Sequence, residues 1–324
     1  MSTAVQMFGP APTSPLVREF AGVSLPSRAL SLSVRSTVRP FLDAWASAPT
    51  LPWPTPLVDR LAFPLTPVSG TRRHAVELES CSAEFLRAPG ATGPVAILYL
   101  HGGAFLCCGL STHRQLVSRI SAAAAAPVLA VGYRMLPGHP IRRALEDGLA
   151  GLRWLLDRGF PIGRIVVAGD SAGGFLAFSV AHEALRLGLG RCAGVVAMSP
   201  LTDLDSRRKV DHPNASRCAL FPRRAVPVLT RLVERAEQTA HTEPVTSPVD
   251  LDVTGMPPTL IQTGSEEMTF VDAEVIAHRL AAAGVHTELQ VWEKQVHVFQ
   301  AAASVVPESG QAIARIGTFV RALG

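Results

Sequence analysis

No apolar run in this chain approaches the length of a membrane span, and no stretch of basic residues is interleaved with aromatics. The first absence argues against an integral membrane segment, and the second leaves nucleic acid without its usual footprint. Charged residues make up only 17% of the 324, and their balance of +4 is mild, so the basic pI decides nothing about partners. Met1 to Pro15 is polar and dotted with proline, with no charged segment leading into an apolar one, so no secretion signal is expected. Cysteine is scarce. Cys81, Cys107, Cys108, Cys192 and Cys218 are odd in number and lack framework spacing, which suits reduced thiols and a cytoplasmic location. Vicinal Cys107-Cys108 is not metal spacing and reads as buried filler. Internal repeats are absent, and the one low-complexity tract, Ala122 to Ala126, reads as a helix end.

Apolar residues, by contrast, are 48% of the chain, ample for one large core. The length suits one α/β catalytic domain with an added lid rather than two equal domains.

The most informative stretch is Gly169-Asp-Ser-Ala-Gly-Gly174. It follows the apolar run Arg164 to Ala168 and opens the apolar-rich stretch Phe175 to Leu187, giving strand, sharp turn and helix in succession. A Gly-x-Ser-x-Gly in that context is a nucleophile elbow, in which a strained turn lifts the serine clear of the sheet. A serine merely capping a helix would not require those flanks. Ser171 is therefore the expected nucleophile.

Prolines recur every few residues from Met1 to about Gly70, among them Pro10, Pro12, Pro26, Pro40, Pro54 and Pro64, so long helices are not expected there. Between Ser27 and Trp45 one or two short helices fit, with Val34, Val38, Phe41, Leu42 and Trp45 on an apolar face. Residues 1–70 read as an arm forming part of a cap, and 71–324 as the catalytic domain. His74 to Ser80 alternates with period two and Ala83 to Arg87 follows a short turn, an antiparallel start to a sheet. Val95 to Leu100 is a continuous apolar run, as in a strand buried on both faces. Helices about Thr112 to Ala126 and Ile141 to Arg158 then alternate with strands at Val128 to Tyr133, the elbow, Val195 to Met198, Thr259 to Gln262 and Glu288 to Trp292. That is βαβ repetition in a mostly parallel sheet flanked by helices. From about 203 to 252 the rhythm breaks, leaving a helix near Arg223 to Glu237; this segment reads as the cap insertion.

Attack by serine on an ester carbonyl creates an oxyanion that backbone N–H groups can stabilise. Ala172 follows the nucleophile, and His101-Gly102-Gly103-Ala104 lies just past a strand end, so Gly102, Gly103 and Ala172 are the expected donors. His101, Ala104, Phe105 and Asp170 flank them as candidate substrate contacts. A base held by a carboxylate must activate the serine. Among the histidines after Ser171, His182 and His278 fall in predicted helices, His212 and His241 in the cap segment and His286 just before a strand. His297 alone sits in a loop past the last predicted strand. The acid should end the preceding strand, where Ser265-Glu266-Glu267 stands, with Asp272 as reserve.

These residues together resemble the hormone-sensitive-lipase-like carboxylesterases, bacterial family IV, of the α/β-hydrolase fold. The likeness spans about Val95 to Phe299, in Tyr99-Leu-His-Gly-Gly-Ala104, Tyr133-Arg134, Ala144-Leu-Glu-Asp147, the elbow, Met198-Ser-Pro-Leu201 and His297-Val-Phe299. The resemblance implies a sheet of about eight strands, a helical cap built partly from the amino terminus, and cofactor-free hydrolysis of esters with short or medium acyl chains. It also places the acid about three residues past Gly264, which selects Glu267, and gives Tyr133, Arg134, Glu146 and Asp147 structural roles beside the site. The chain departs from the pattern at Ala104, often glycine; at Gly138, commonly glutamate; and in using glutamate as the acid. The expected partner is a small acyl ester, with self-association as a homodimer left open. An amidase or lactonase would use the same triad. A non-catalytic binding protein of this fold would lack the histidine that His297 supplies.

Overall fold

The computed structural model of the chain describes residues 13–62 and 66–324; the opening stretch to residue 12 and Pro64, both part of the sequence reading, lie outside them. In chain order the elements are β1 (Leu16–Phe20), α1 (Leu25–Ser33), α2 (Arg39–Ser47), α3 (Thr55–Leu61), β2 (Arg72–Glu77), β3 (Ser82–Arg87), β4 (Ala96–Leu100), α4 (Leu110–Ala124), β5 (Val128–Gly132), α5 (Ile141–Asp157), β6 (Ile165–Asp170), α6 (Ala172–Arg186), β7 (Gly194–Met198), α7 (Arg207–Asp211), α8 (Asn214–Arg217), α9 (Ala225–Ala240), β8 (Thr259–Gly264), α10 (Phe270–Ala282), β9 (Thr287–Trp292) and α11 (Pro307–Ala322).

Among the described residues the nine strands form one sheet in the order β1-β9-β8-β7-β6-β4-β5-β3-β2. The β2-β3 and β3-β5 pairings are antiparallel and all the others parallel. Along β4, Ala96, Leu98 and Leu100 join one core and Ile97 and Tyr99 the other, which is why that stretch reads as an unbroken apolar run. Leu152 of α5, Phe175 of α6 and Ile276 of α10 cover the first face. Leu116 and Ile120 of α4, with Ile313 and Ile316 of α11, cover the second.

The sheet has one strand more than the resemblance implies, and its source is the proline-rich arm. Leu16–Phe20 pairs in parallel with Glu288 to Trp292, and the Phe20 ring stacks on Trp292 with centroids 4.0 Å apart. The arm is therefore divided, its first part extending the sheet edge and its second forming helices. Helical backbone runs from Leu25 to Ser47 despite Pro40, because a π turn at Val34–Val38 takes up the register. Trp45 and Ala46 of α2 pack with Ala225 and Val228 of α9, with Trp53 alongside. Residues of the arm and of the segment 203–252 thus share one apolar cluster.

Candidate active site

β4, β6, β8 and β9 are parallel, so their carboxyl ends meet along one edge of the sheet, where ligands bind in open α/β folds. Each of these strands delivers one part of the site. At the end of β6, Ser171 has φ +52° and ψ −119°, a left-handed conformation rare for serine. The turn closes this tightly because Gly169 and Gly173 carry no Cβ. A Cβ on Gly169 would strike the Gly173 carbonyl oxygen, and one on Gly173 the Leu100 carbonyl oxygen. Two backbone bonds to the end of β7 and the segment just past it hold the turn: Ser171 N–H donates to the Met198 carbonyl at 2.9 Å, and Leu201 N–H to the Ser171 carbonyl at 3.0 Å.

Past β9, His297 sets Nε2 2.9 Å from Ser171 Oγ and Nδ1 2.7 Å from Glu267 Oε2. Serine, histidine and Glu267 therefore form one hydrogen-bonded chain, and Glu266 is outside it. The other oxygen of Glu267 accepts from Gly264 N–H at 2.5 Å and Ser199 Oγ at 2.8 Å. Ser199 Oγ also accepts from Val298 N–H at 3.0 Å, so one hydroxyl spans the loops of acid and histidine. Sequence reasoning noticed Ser199 only inside a motif. Its positive φ of 47° and its position just past β7 aim the hydroxyl inward. The Phe221 ring, from the segment 203–252, packs edge-on to His297 with centroids 4.8 Å apart, and no local pattern in the sequence marks it.

The reserve acid, Asp272, is engaged elsewhere. It is buried and accepts from Lys209 Nζ at 3.0 Å and Thr202 N–H at 2.9 Å, which ties α7 to α10. Burial raises its carboxyl pKa, a push that the Lys209 charge only partly offsets.

The loop after β4 corrects part of the expectation. Gly102 N–H donates to Asp170 Oδ1 at 3.1 Å, so this donor is taken by a carboxylate. Gly103 and Ala104 border the cavity beside Ser171, as do Leu106 and Cys107 further along the same loop. Gly103 has φ +116°, and a Cβ there would strike the Cys107 carbonyl oxygen. Of the four expected substrate contacts, Ala104 lines the cavity. His101, Phe105 and Asp170 are buried behind the loop, with Phe105 packed edge-on to Phe175. Cys107, expected as filler, also borders the cavity, its sulfur 3.8 Å from that of Cys108.

Asp170 is the hub behind this loop. It accepts from Tyr99 Oη at 2.6 Å and lies 3.2 Å from His113 Nε2, while Tyr133 Oη donates to the His101 carbonyl at 2.6 Å. Arg134 makes a paired contact with Asp147. Burial disfavours charge on His113, but the Asp170 carboxylate more than offsets this and pushes its pKa up to about 9. Burial, together with the His113 charge, pushes His101 down to about 4. A pKa raised from the ordinary 6.5 contributes stability that is complete below about pH 6.5 and lost as pH rises through 9. We expect the unfolding free energy to fall between pH 7 and 10 by up to ~3 kcal/mol on this account. Urea unfolding across that range should show the slope, and His113→Gln should flatten it; an unchanged slope would remove His113 from the account.

Above the serine lies a cavity of about 340 Å³, walled by Phe41, Trp45, Trp53 and Leu57 from the arm, Leu106 from the β4 loop and Leu229 from α9. Among the described residues no helix is long and apolar enough to cross a membrane.

A strained serine, an imidazole and a carboxylate in one chain of hydrogen bonds, set at the strand ends beneath an apolar cavity, define the hydrolase class. The chain belongs to the alpha/beta hydrolase fold family, whose model matches residues 97–301. It is 43% identical to Esterase LipU of Mycobacterium tuberculosis (strain ATCC 25618 / H37Rv) over 88% of this chain and 98% of the relative. It is 38% identical to the Carboxylesterase/phospholipase LipF of the same organism, over 93% and 83% of the two chains. Among solved structures, an esterase from the bacterial hormone-sensitive lipase family superposes with a TM-score of 0.80 at 30% identity, covering 93% of this chain and 99% of that one. EstE5 soaked with p-nitrophenyl butyrate gives 0.81 at 31% identity, with the same coverage. The protein is a serine ester hydrolase, a carboxylesterase similar to hormone-sensitive lipase.

Proposed function

We propose that Ser171, His297 and Glu267 act as a triad on esters of short to medium acyl chains, with a covalent acyl-enzyme intermediate. The observation that carries this reading is the hydrogen-bonded chain Glu267–His297–Ser171 at the foot of an apolar cavity. Ser171 Oγ attacks the acyl carbon while its proton passes to His297 Nε2, and Glu267 holds Nδ1–H and stabilises the imidazolium. The charge that develops on the carbonyl oxygen faces the N–H of Ala172, which opens α6 and so has no intrahelical acceptor. It also faces the loop donors at Gly103 and Ala104, since that of Gly102 is occupied. His297 then returns the proton to the leaving alcohol, and water releases the acid by the reverse sequence.

The apolar lining supports an acyl group rather than a polar substituent as the occupant. Each methylene buried there contributes ~0.8 kcal/mol, nearly fourfold in kcat/KM, until the wall is reached. We infer that α1–α3 and α7–α9 together act as the cap over the 71–324 catalytic domain. The five cysteines, none in a disulfide, support a reducing, cytoplasmic location.

Initial rates on p-nitrophenyl esters from acetyl to decanoyl test the reading. The expected result is kcat/KM rising over the short acyl chains and falling at the long end. A rate no higher than that of Ser171→Ala on every ester would contradict hydrolysis, and a rate that climbs to decanoyl would contradict the chain-length limit.

A further inference from the structure

The mouth of the cavity opens on the most apolar part of the surface. Among the described residues, eight of the twelve exposed large hydrophobic side chains fall between Leu25 and Leu61, on α1 to α3 and the segments joining them. Phe41, Leu57, Val58 and Leu61 are 39% to 76% exposed and also wall the cavity, so its lining continues onto the surface. A concentration of exposed apolar side chains on a soluble domain marks a docking surface.

Charge selects what docks there. A second cleft lies between the arm and the segment 203–252, lined by Arg35, Arg39, Arg223 and Arg224 with Asp43 as its single carboxylate. Arg39 and Pro40 lead directly into Phe41, and Pro222 to Arg224 stand between the cavity residues Phe221 and Ala225. Asp43 is held by both arms of Arg224. Arg35 donates to the Arg217 carbonyl, which leaves its charge uncancelled. Arg39, whose Nε is buried without a hydrogen-bond partner, acts on Asp43 through its charge while Arg224 holds that carboxylate, and Arg223 meets a carboxylate only at 3.8 Å, in the well-exposed Asp211. Three guanidinium groups weakly compensated by carboxylate thus stand beside an apolar rim.

We propose that this face docks the protein on an anionic lipid surface, the rim entering the acyl layer and Arg35, Arg39 and Arg223 meeting anionic head groups. The mouth of the cavity then faces the lipid, so an acyl chain can enter without crossing water. The proposal rests on the ester-hydrolase reading for what the docking serves, but binding itself needs no turnover. A second copy of the chain would use the rim equally well, yet it would bring a second set of the same guanidinium groups to the interface.

Sedimentation with vesicles tests this, using full-length Ser171→Ala protein so that lipid is not consumed. Binding to an equal mixture of phosphatidylglycerol and phosphatidylcholine should be at least about tenfold tighter than to phosphatidylcholine alone, and salt should weaken it. Each arginine replaced by glutamine should cost about fivefold, and Arg35→Gln, Arg39→Gln and Arg223→Gln together about a hundredfold. The same three substitutions made with Ser171 intact should leave turnover of a soluble aryl ester unchanged. Equal affinity for both vesicle types, no binding to either, or full binding by the triple variant would overturn the proposal. So would a stable dimer in light scattering that Leu61→Ser dissolves, since that assigns the rim to a second copy. Loss of ester turnover in the unsubstituted protein with vesicle binding intact would count against the hydrolase reading and not against the docking.

Discussion

His297→Ala should lower kcat by about 10⁵- to 10⁶-fold, the scale seen when a serine hydrolase loses its base. Without the imidazole, no group is placed 2.9 Å from Ser171 Oγ to take its proton, and none returns a proton to the leaving alcohol. KM should change little, because the cavity that receives the acyl chain is walled by apolar side chains from other segments. The fold should persist: the ring's packing loss is confined to the Phe221 edge and its hydrogen bonds to the site itself. Steady-state kinetics beside thermal unfolding checks this. A variant within tenfold of the parent would leave the imidazole without the role assigned to it.

Glu267→Gln should cut kcat by about 10³- to 10⁴-fold with little loss of stability, while Glu266→Gln should cost less than about tenfold. The difference follows from what surrounds the two carboxylate oxygens. Oε2 faces His297 Nδ1 at 2.7 Å, and Oε1 accepts from Gly264 N–H and the Ser199 hydroxyl. An amide has one acceptor to divide between them. If its NH₂ faces the ring, Nδ1 must become the acceptor and Nε2 carries the proton, which is the wrong tautomer for a base. If it is turned over, the NH₂ confronts the Gly264 N–H, donor against donor. Neither orientation supplies the negative charge that stabilises an imidazolium. Kinetics of the two variants side by side decides the assignment, and the reverse ranking would transfer the role to Glu266.

Residues that act through local backbone geometry were legible in the sequence. The elbow required glycines where a Cβ would strike backbone, and those glycines appear as a motif. The order of strand ends led to His297 and to the adjacent pair Glu266 and Glu267, since a parallel sheet brings those ends to one edge, but it did not choose between the two carboxylates; only the family resemblance pointed to Glu267. The features that were not legible depend on partners distant in the chain. Gly102 looked like an oxyanion donor because its loop is right, but its N–H is claimed by Asp170, 68 positions away. Ser199 looked like part of a strand-end motif, and only the fold brings its hydroxyl between Glu267 and Val298. Asp272 looked like an acid in waiting until Lys209, from a segment without strand or clear period, closed on it. β1 escaped notice because an exposed five-residue edge strand needs neither alternation nor a continuous apolar run, and Leu16 and Val17 are both half-exposed.

The central claim is that Ser171 forms a covalent bond in the reaction, and an organophosphonate ester that mimics the acyl group tests it most directly. After reaction, intact-mass spectrometry should show one adduct per chain, and peptide mapping should place it on Ser171. The Ser171→Ala protein should remain unlabelled, and prior addition of a short ester should slow labelling of the parent. An adduct that persists in Ser171→Ala, or that maps to Cys107 at the cavity wall, would contradict the account.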